Sequence, residues 1–138
     1  MKRHLPAFLL ALLFGCSATP DPTTLARVQG RWLSASGNVE VQIAPCGAKL
    51  CGTIVRIVAN RSMSAPGQAV PARDDVGLQI LTDFAPSDGE TLHGRALNRE
   101  NGMVYDCTMH PGGPDELVIR PYVLVSLFGQ TQVWHRVP

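Results

Sequence analysis

Residues 38–58 read NVEVQIAPCGAKLCGTIVRIV, two β-rich segments joined by a short stretch with two Cys-Gly pairs. From Val39 to Ile43 every second residue is apolar, which is the period of a strand with one buried face. From Gly52 to Val58 β-branched residues dominate, and Arg56 is the only charged residue. This stretch therefore predicts a strand, a tight turn and a second strand.

Short β-rich runs, among them residues 77–82, follow one another along the rest of the chain, separated by turn signals such as Pro86–Gly89, Asn101-Gly102 and Pro111–Pro114. Residues 60–75 are the one long excursion without a sustained period, and residues 23–29 predict at most a short helical turn. The pattern predicts an all-β domain of about seven to nine short strands. Because closure removes exposed edges, we expect a small antiparallel up-and-down β-barrel.

The N-terminus has the pattern of a secretory signal peptide. Two basic residues precede ten apolar ones, Leu5–Phe14, which in a helix would span about 15 Å, half of a bilayer core. The ending Leu13-Phe14-Gly15-Cys16 resembles a bacterial lipobox. This resemblance implies that residues 1–15 are removed and that Cys16 is lipidated. An alternative cleavage after Ala18 would release a soluble protein.

The predicted organisation is a lipidated N-terminus and tether over residues 16–22, followed by one domain over residues 23–138. Ser17 is not the aspartate that signals inner-membrane retention, so we expect the periplasmic face of the outer membrane, with the membrane as a partner through the lipid. A soluble periplasmic or secreted protein is the alternative. The whole chain has 12 basic and 11 acidic residues, a balance that gives no basic field for nucleic acid.

Cys46 and Cys51 allow three interpretations. A tetrahedral zinc site needs four ligands, usually in two close pairs, and the histidines show no paired spacing. A redox pair normally has two intervening residues at a helix N-terminus, whereas this pair has four and lies between strands. A disulfide that fixes the hairpin fits better, because exported domains mature where disulfides persist. Cys107, with apolar neighbours, is then either an inert buried thiol or a reactive one.

Several motifs together resemble a bacterial family of small exported proteins known as domain of unknown function 2147. The resemblance spans residues 30–137 and is most specific in the doublet CGxxLCG and the ending QTQxWxR. The family often has Pro-Leu-Cys where this chain has Asp74-Asp75-Val76, and the missing cysteine favours pairing of Cys46 with Cys51. Because the family has no established activity, the resemblance supports the fold and the location without indicating a mechanism.

A second resemblance is to the lipocalins and their relatives in the calycin group. Gly30-Arg31-Trp32 opens the first predicted strand, and Arg136 lies in the last one. Lipocalins use a Gly-x-Trp motif with a late arginine that stacks on the indole and closes the barrel floor, a cation–π contact. The resemblance implies a lipocalin-like barrel with Gly30, Trp32 and Arg136 as structural residues of the floor.

Signals for catalysis and for metal binding are weak. The sequence has no nucleophile elbow, P-loop, dinucleotide fingerprint or HExxH motif, so no cofactor is predicted. Asp106 and His110 would lie about 13 Å apart along one strand face and cannot form a dyad. His93 facing Asp106 across a hairpin would be an ordinary surface pair. Loop acids such as Asp74 and Asp83 are typical of solvated side chains, so we expect neither catalytic residues nor a metal site.

The favoured hypothesis is a barrel that holds one small apolar or amphipathic molecule. The candidate cavity-lining residues are Tyr105, Tyr122, Phe128 and Trp134. The alternative is a barrel filled by its own side chains that acts as a cell-envelope interaction module, above all through residues 60–76. An enzyme is the least favoured class. An internal space of several hundred Å³ with few polar groups would favour the ligand-binding hypothesis.

Overall fold

The computed structural model describes residues 22–65, 67–125 and 129–138. Within these residues the chain forms one short helix and eight strands. The elements are α1 (Pro22–Val28), β1 (Gly30–Leu33), β2 (Val39–Cys46), β3 (Lys49–Ile57), β4 (Gln79–Asp88), β5 (Thr91–Leu97), β6 (Val104–Pro111), β7 (Glu116–Tyr122) and β8 (Gln132–Arg136). The predicted signal peptide, Cys16 and most of the tether lie outside the described residues.

Each strand pairs antiparallel with the next one, and β8 pairs with β1, so the eight strands form a closed barrel. The closing register aligns Trp32 with Arg136 and Leu33 with His135. Closure gives every one of these strands two neighbours, which protects their backbone groups from edge-to-edge pairing with other chains. The prediction of a small antiparallel up-and-down barrel with a short N-terminal helix is confirmed.

The two ends of the barrel differ. One end, which we call the closed end, carries α1 and the tight turns that follow β2, β4 and β6. The opposite end, which we call the open end, carries the connections that follow β1, β3, β5 and β7. Their described residues are 34–38, 58–65 with 67–78, 98–103, and 123–125 with 129–131. The long connection after β3 is the excursion predicted from the sequence.

Apolar side chains fill the half of the barrel near the closed end. The largest of them are Trp32, Ile43, Ile54, Phe84, Leu92, Met109 and Leu117. Phe84 packs against β5 at Gly94, where an added Cβ would lie 2.6 Å from the phenyl ring. Gly94 therefore lets the ring reach the backbone of β5, because any side chain at this position would collide with it.

The β2–β3 hairpin at the closed end contains the predicted disulfide between Cys46 and Cys51, which is confirmed. Their Cα atoms are 5.5 Å apart, within the range that a disulfide spans. Cys46 is opposite Lys49 and Cys51 is opposite Ala44, so the bond crosses the hairpin diagonally beside its turn. Closing so short a loop contributes about 2 kcal/mol in the chain-entropy model and fixes the register of the two strands.

Cys107, the remaining cysteine in the described part of the chain, is a fully buried thiol on β6. Burial raises its pKa to about 12, since an apolar environment disfavours the charged thiolate. The thiolate is the nucleophilic form of cysteine. The structure therefore favours the interpretation of Cys107 as an inert core residue over that of a reactive thiol.

Strand β4 extends beyond its predicted end. The sequence pattern predicts a strand over residues 77–82 and a turn from Pro86, whereas β4 runs from Gln79 to Asp88. Its pairing with β5 shifts register between Thr82 and Ala85 and again between Pro86 and Asp88. Bulges break the period of two, so the alternation on which the prediction depended disappears in mid-strand. Bulges also accommodate a proline within a paired strand.

Candidate functional site

A cavity of about 680 Å³ occupies the half of the barrel near the open end. Strands β2, β4, β5, β7 and β8 contribute apolar side chains to its wall. The main ones are Val39, Ile80, Leu81, Ala96, Ile119 and Trp134. The filled layer that contains Trp32 and Phe84 separates this cavity from the closed end. The barrel is thus packed at one end and hollow at the other.

Trp134 forms part of the cavity wall on β8, and its side chain is only 5% exposed. The indole N–H donates a hydrogen bond of 3.2 Å to Oε1 of Gln132, two residues earlier on the same strand. Alternation along β8 places both side chains on the inner face. Because Gln132 satisfies the indole N–H, the ring presents an apolar surface to the cavity.

Polar and charged side chains surround the cavity at the open end, and two of them join neighbouring loops. Arg99, from the β5–β6 connection, forms an ion pair of 2.9 Å with Asp75 of the β3–β4 connection. Glu100 accepts hydrogen bonds from the hydroxyl group of Ser62 at 2.5 Å and from the backbone N–H of Met63 at 2.9 Å. These contacts hold the long β3–β4 connection against the β5–β6 turn beside the cavity.

Arg61 and Arg73 also line the cavity, and their side chains donate hydrogen bonds to backbone carbonyl groups instead of forming ion pairs within the described residues. Arg61 donates from Nη1 to the carbonyl oxygen of Ser36 at 3.4 Å, and Arg73 donates from Nη1 to the carbonyl oxygen of Arg99 at 2.9 Å. Among the ion pairs of the described residues, none contains either of these guanidinium groups. Within the described residues, the open end therefore has cationic groups without a carboxylate counterpart.

The hydrogen bonds of Glu100 to the β3–β4 connection are expected to depend on pH. The hydrogen bond from Ser62, followed by that from Met63, holds the pKa of Glu100 below its usual 4.5. A lowered pKa means that the contacts are complete above the ordinary carboxyl pKa and are lost as pH falls through the lowered value. We expect the Met63 amide resonance, followed by NMR from about pH 7 to about pH 3, to titrate with a midpoint below that of a free carboxyl group.

Glu100→Gln is the control for this titration, because an amide cannot ionise. The variant should show a Met63 amide resonance that stays constant over the same range. A wild-type resonance that also stays constant, or one that moves at the ordinary carboxyl pKa, would contradict the proposed role of the carboxylate.

The predicted lining residues differ in position. Trp134 and Tyr105 border the cavity from the inner face, and the Tyr105 hydroxyl accepts a hydrogen bond of 3.1 Å from Nδ2 of Asn101. Leu117 and Ile119 point to the interior, so alternation along β7 places the Tyr122 side chain on the outer face. Tyr122 therefore borders the cavity only at the rim. Phe128 lies outside the described residues.

Tyr122 instead belongs to a small polar group on the outer face of the barrel. Its hydroxyl lies 3.0 Å from Nε2 of His93, and the same nitrogen lies 3.7 Å from Oδ1 of Asp106. Partial burial and the charge of Asp106 raise the pKa of Tyr122, so its phenol is neutral at pH 7. His93 and Asp106 are both nearly half exposed, which is typical of a cross-strand surface pair.

The residues predicted for the barrel floor meet at the closed end. The guanidinium carbon of Arg136 lies 4.2 Å from the ring centroid of Trp32. Arg136 also donates to the carbonyl oxygens of Gln29 at 2.9 Å and Arg27 at 2.7 Å. The Trp32 indole N–H donates to the carbonyl oxygen of Val28 at 2.9 Å. Together the two side chains satisfy carbonyl groups at the C-terminal end of α1.

Gly30 contributes to the same floor by having no side chain. An added Cβ would lie 2.5 Å from Nη1 of Arg136, and the φ angle of Gly30 is +124°. Both the space and the backbone conformation therefore favour glycine here. The Gly-x-Trp motif and the late arginine form one packed unit that closes this end.

The His, Cys, Asp and Glu side chains are dispersed over the described structure. Across residues 22–65, 67–125 and 129–138, no three His, Cys, Asp or Glu side chains form a cluster that could hold a metal ion. The loop acids have other contacts: Asp75 pairs with Arg99, and Asp83 lies 4.0 Å from Lys49. Nor does this part of the chain contain a helix of the length and apolarity needed to cross a membrane.

Large apolar side chains are exposed around the open end. Leu124 is 85% exposed, and its neighbours Val123 and Val125 are about half exposed. We call the exposed apolar residues of these connections and of the adjoining strand end the open-end patch. Its described members are Val58, Met63, Val76, Leu78, Met103, Val104, Val123, Leu124 and Val125.

The charged residues of the open end could not be recognised from the sequence. Arg61, Arg73, Arg99 and Glu100 belong to two different connections, and Arg73 and Arg99 are 26 positions apart in the sequence. They carry no motif, and only the barrel brings them to one rim. The only sequence signal was indirect: the β3–β4 connection is long, and long ordered loops are often functional.

Comparisons with known proteins agree with this architecture. A model of the bacterial family DUF2147, described as an uncharacterized protein conserved in bacteria, matches residues 30–136. Among solved structures, the chain is similar to protein HP1028 from Helicobacter pylori, which belongs to the lipocalin family. The TM-score is 0.60 and the identity 15%, over 80% of this chain and 82% of that chain. No curated protein sequence matches. Both resemblances predicted from the sequence are confirmed, the second for the fold alone.

Proposed function

This chain belongs to the bacterial family DUF2147, and we propose that it binds one small apolar or amphipathic molecule inside its barrel. The observation that carries the proposal is the cavity of about 680 Å³ near the open end, next to a filled half at the closed end. Ligand sites for small molecules typically have several hundred Å³ of space, mostly apolar walls and a few polar groups. The cavity has this size, its deeper wall is apolar, and its many polar groups are concentrated at the open end.

The empty space in one half of the barrel is notable because the other half is packed with side chains. Small barrels can be packed completely by their own side chains, and this one is packed from the closed end up to Phe84. Above it, small or medium-sized residues such as Ala96 and Val39 leave the interior open. An apolar wall that no side chain covers gains free energy when an apolar molecule removes it from water.

We propose further that the protein is an exported lipoprotein anchored through Cys16. The signal-peptide pattern of residues 1–15 supports export, and the disulfide of the β2–β3 hairpin supports an oxidising compartment. The tether would enter the barrel through α1, which covers the closed end. An anchored protein would then have its cavity entrance at the end of the barrel opposite the anchor.

Native mass spectrometry of the protein purified from its host membranes tests the ligand proposal. We expect a protein peak whose mass exceeds that of the processed chain by the mass of one small molecule, which collisional activation releases. The matched control is Ala96→Trp, whose indole occupies cavity space and should reduce this peak. Preparations that never carry a small molecule, together with no binding of added amphiphiles, would contradict the proposal.

A second candidate function is a cell-envelope interaction module, for which the open-end patch is the supporting observation. Isolated exposed apolar residues are common, but a patch gathered at one end marks a contact surface in many proteins. In this case the same native spectra would show a bound protein subunit instead of a small molecule. Replacing Leu124 by Asp would remove that subunit, whereas occupancy of the cavity by a small molecule would not change.

A further inference from the structure

We infer that the ligand is an amphiphile with a single anionic headgroup, bound by Arg61 and Arg73 at the open end, with its apolar tail in the cavity. The inference depends on the proposed function and adds the chemical class of the ligand. It rests on three observations: the charge balance of the cavity, the guanidinium N–H groups of the two arginines that make no hydrogen bond in the described structure, and the distribution of polar groups along the barrel axis.

The charge balance of the cavity lining is positive. Four of the charged side chains that line it are Arg61, Arg73, Arg99 and Glu100. Asp75 neutralises Arg99 through the 2.9 Å ion pair. Glu100 accepts hydrogen bonds from Ser62, Met63 and Ser64 within 3.1 Å, so its oxygens are already occupied. The charges that remain without a counterpart in the described structure are those of Arg61 and Arg73.

Both arginines keep donors available. A guanidinium group has five N–H donors, and the hydrogen bonds of each side chain in the described structure use only Nη1. Each of these contacts goes to a backbone carbonyl group, which leaves the positive charge uncompensated. Guanidinium groups bind carboxylate and phosphate groups with paired, charge-assisted hydrogen bonds. An anionic headgroup therefore fits these positions, whereas a cationic one would be repelled.

The barrel axis has a polarity gradient that orients such a molecule. Polar side chains at the open end include Asn60, Asn98, Asn101 and Gln130, and all of them line the cavity. Deeper in the barrel the wall consists of Ile80, Leu81, Ile119 and the ring of Trp134. A headgroup at the arginines stays in contact with water, while the tail loses contact with water along the apolar wall.

Isothermal titration calorimetry with four probes of equal chain length tests this inference. The probes are dodecanoate, dodecyl phosphate, dodecanol and dodecyltrimethylammonium, each titrated below its critical micelle concentration. We expect both anionic probes to bind at least about 10-fold more tightly than dodecanol, and the cationic probe to bind most weakly. The ratio between dodecanoate and dodecyl phosphate distinguishes a carboxylate ligand from a phosphate one. Added salt should lower the affinity of only the anionic probes.

Arg61→Gln, Arg73→Gln and the double variant locate the headgroup. We expect the double variant to bind dodecanoate at least about 10-fold more weakly than wild type and to bind dodecanol unchanged. Arg95→Gln is the matched control, because Arg95 is an exposed arginine on the outer face of β5 and lies outside the cavity lining. Far-UV circular dichroism and thermal unfolding of each variant establish that the barrel is intact.

Three outcomes would overturn the inference or its basis. Equal affinity of wild type for dodecanoate and dodecanol would refute the anionic headgroup while leaving ligand binding in the barrel intact. An equal loss of affinity for both probes in the double variant would show that the arginines act on the cavity shape and not on charge. If none of the four probes binds, the proposed function itself fails.

Discussion

Replacing Trp32 by alanine is expected to destabilise the folded protein by about 3 to 5 kcal/mol, as for other buried aromatic residues. The indole is 1% exposed and packs in the filled half of the barrel. Its removal leaves a void that close-packed neighbours fill only partly. It also takes away the donor to the Val28 carbonyl group and the ring beneath the Arg136 guanidinium group. Three stabilising contributions are thus lost at one position.

Two further substitutions separate these contributions. Trp32→Phe keeps most of the ring packing but leaves the Val28 carbonyl group without its indole donor, which costs about 1 to 3 kcal/mol. Trp134→Ala is the matched control for size, since this indole has the same volume and is also buried. One face of Trp134 already borders the cavity, so fewer packing contacts are lost and the cost should be smaller than for Trp32.

Denaturant unfolding followed by far-UV circular dichroism measures these differences without depending on tryptophan fluorescence. The free energy of unfolding should decrease in the order wild type, Trp32→Phe, Trp32→Ala. A cost of less than about 1 kcal/mol for Trp32→Ala would mean that the floor of the barrel is not closed by this residue. The coupling of Trp32 to Arg136 follows from the double-mutant cycle with Arg136→Ala.

Replacing Ala96 by tryptophan is expected to reduce binding of an apolar molecule by at least about 10-fold, a loss of about 1.4 kcal/mol or more. Ala96 lies on the inner face of β5, between Leu81 on β4 and Tyr105 on β6. An indole at this position projects into the cavity and takes up volume that a ligand would occupy. Because the wall there is open, the larger side chain enters space instead of displacing packed neighbours.

The readout is the fluorescence of N-phenyl-1-naphthylamine, a neutral apolar probe that becomes bright when it leaves water. Wild type should enhance the probe fluorescence in a saturable way with one site per chain, and Ala96→Trp should do so much more weakly. Arg95→Trp is the matched control, because the adjacent residue on β5 faces outward and an indole there leaves the cavity unchanged.

The thermal stability of both tryptophan variants must be measured alongside binding. If Ala96→Trp unfolds at the wild-type temperature and binds the probe with wild-type affinity, the probe does not bind in the barrel. The proposed function would then lose its site, and the open-end patch would become the place to test. A loss of affinity in Arg95→Trp equal to that in Ala96→Trp would lead to the same conclusion.

The strands could be predicted because the information is local, and their closure was expected because it removes exposed edges. The alternation from Val39 to Ile43, the turn residues at Asn101-Gly102 and the cysteine spacing of the β2–β3 hairpin each refer to neighbours in sequence. The predicted end of β4 was wrong because a bulge near Asp83, with φ +60°, interrupts the alternation, and a bulge has no strong sequence signature.

The predicted lining residues also show what the sequence could not determine. Trp134 has an inner-face position on β8, whereas Tyr122 has an outer-face position on β7. A shift by one residue moves a side chain to the other face of the sheet, so these positions could be assigned only once the strand register was known. The predicted contact of His93 with Asp106 occurs, yet only the structure shows that Tyr122 shares the same histidine nitrogen.

The sequence by itself determined the class of the fold and the disulfide, because each depends on residue type and spacing over a few positions. The floor residues Gly30, Trp32 and Arg136 followed from the resemblance to lipocalins. The tertiary structure alone decided where the interior is empty and which charges surround it. Whether Ala96 or Phe84 leaves space depends on what the facing strands contribute, and Arg61 and Glu100 line one cavity only because the barrel closes. Volume and charge balance are sums over residues distant in sequence, so no local pattern contains them.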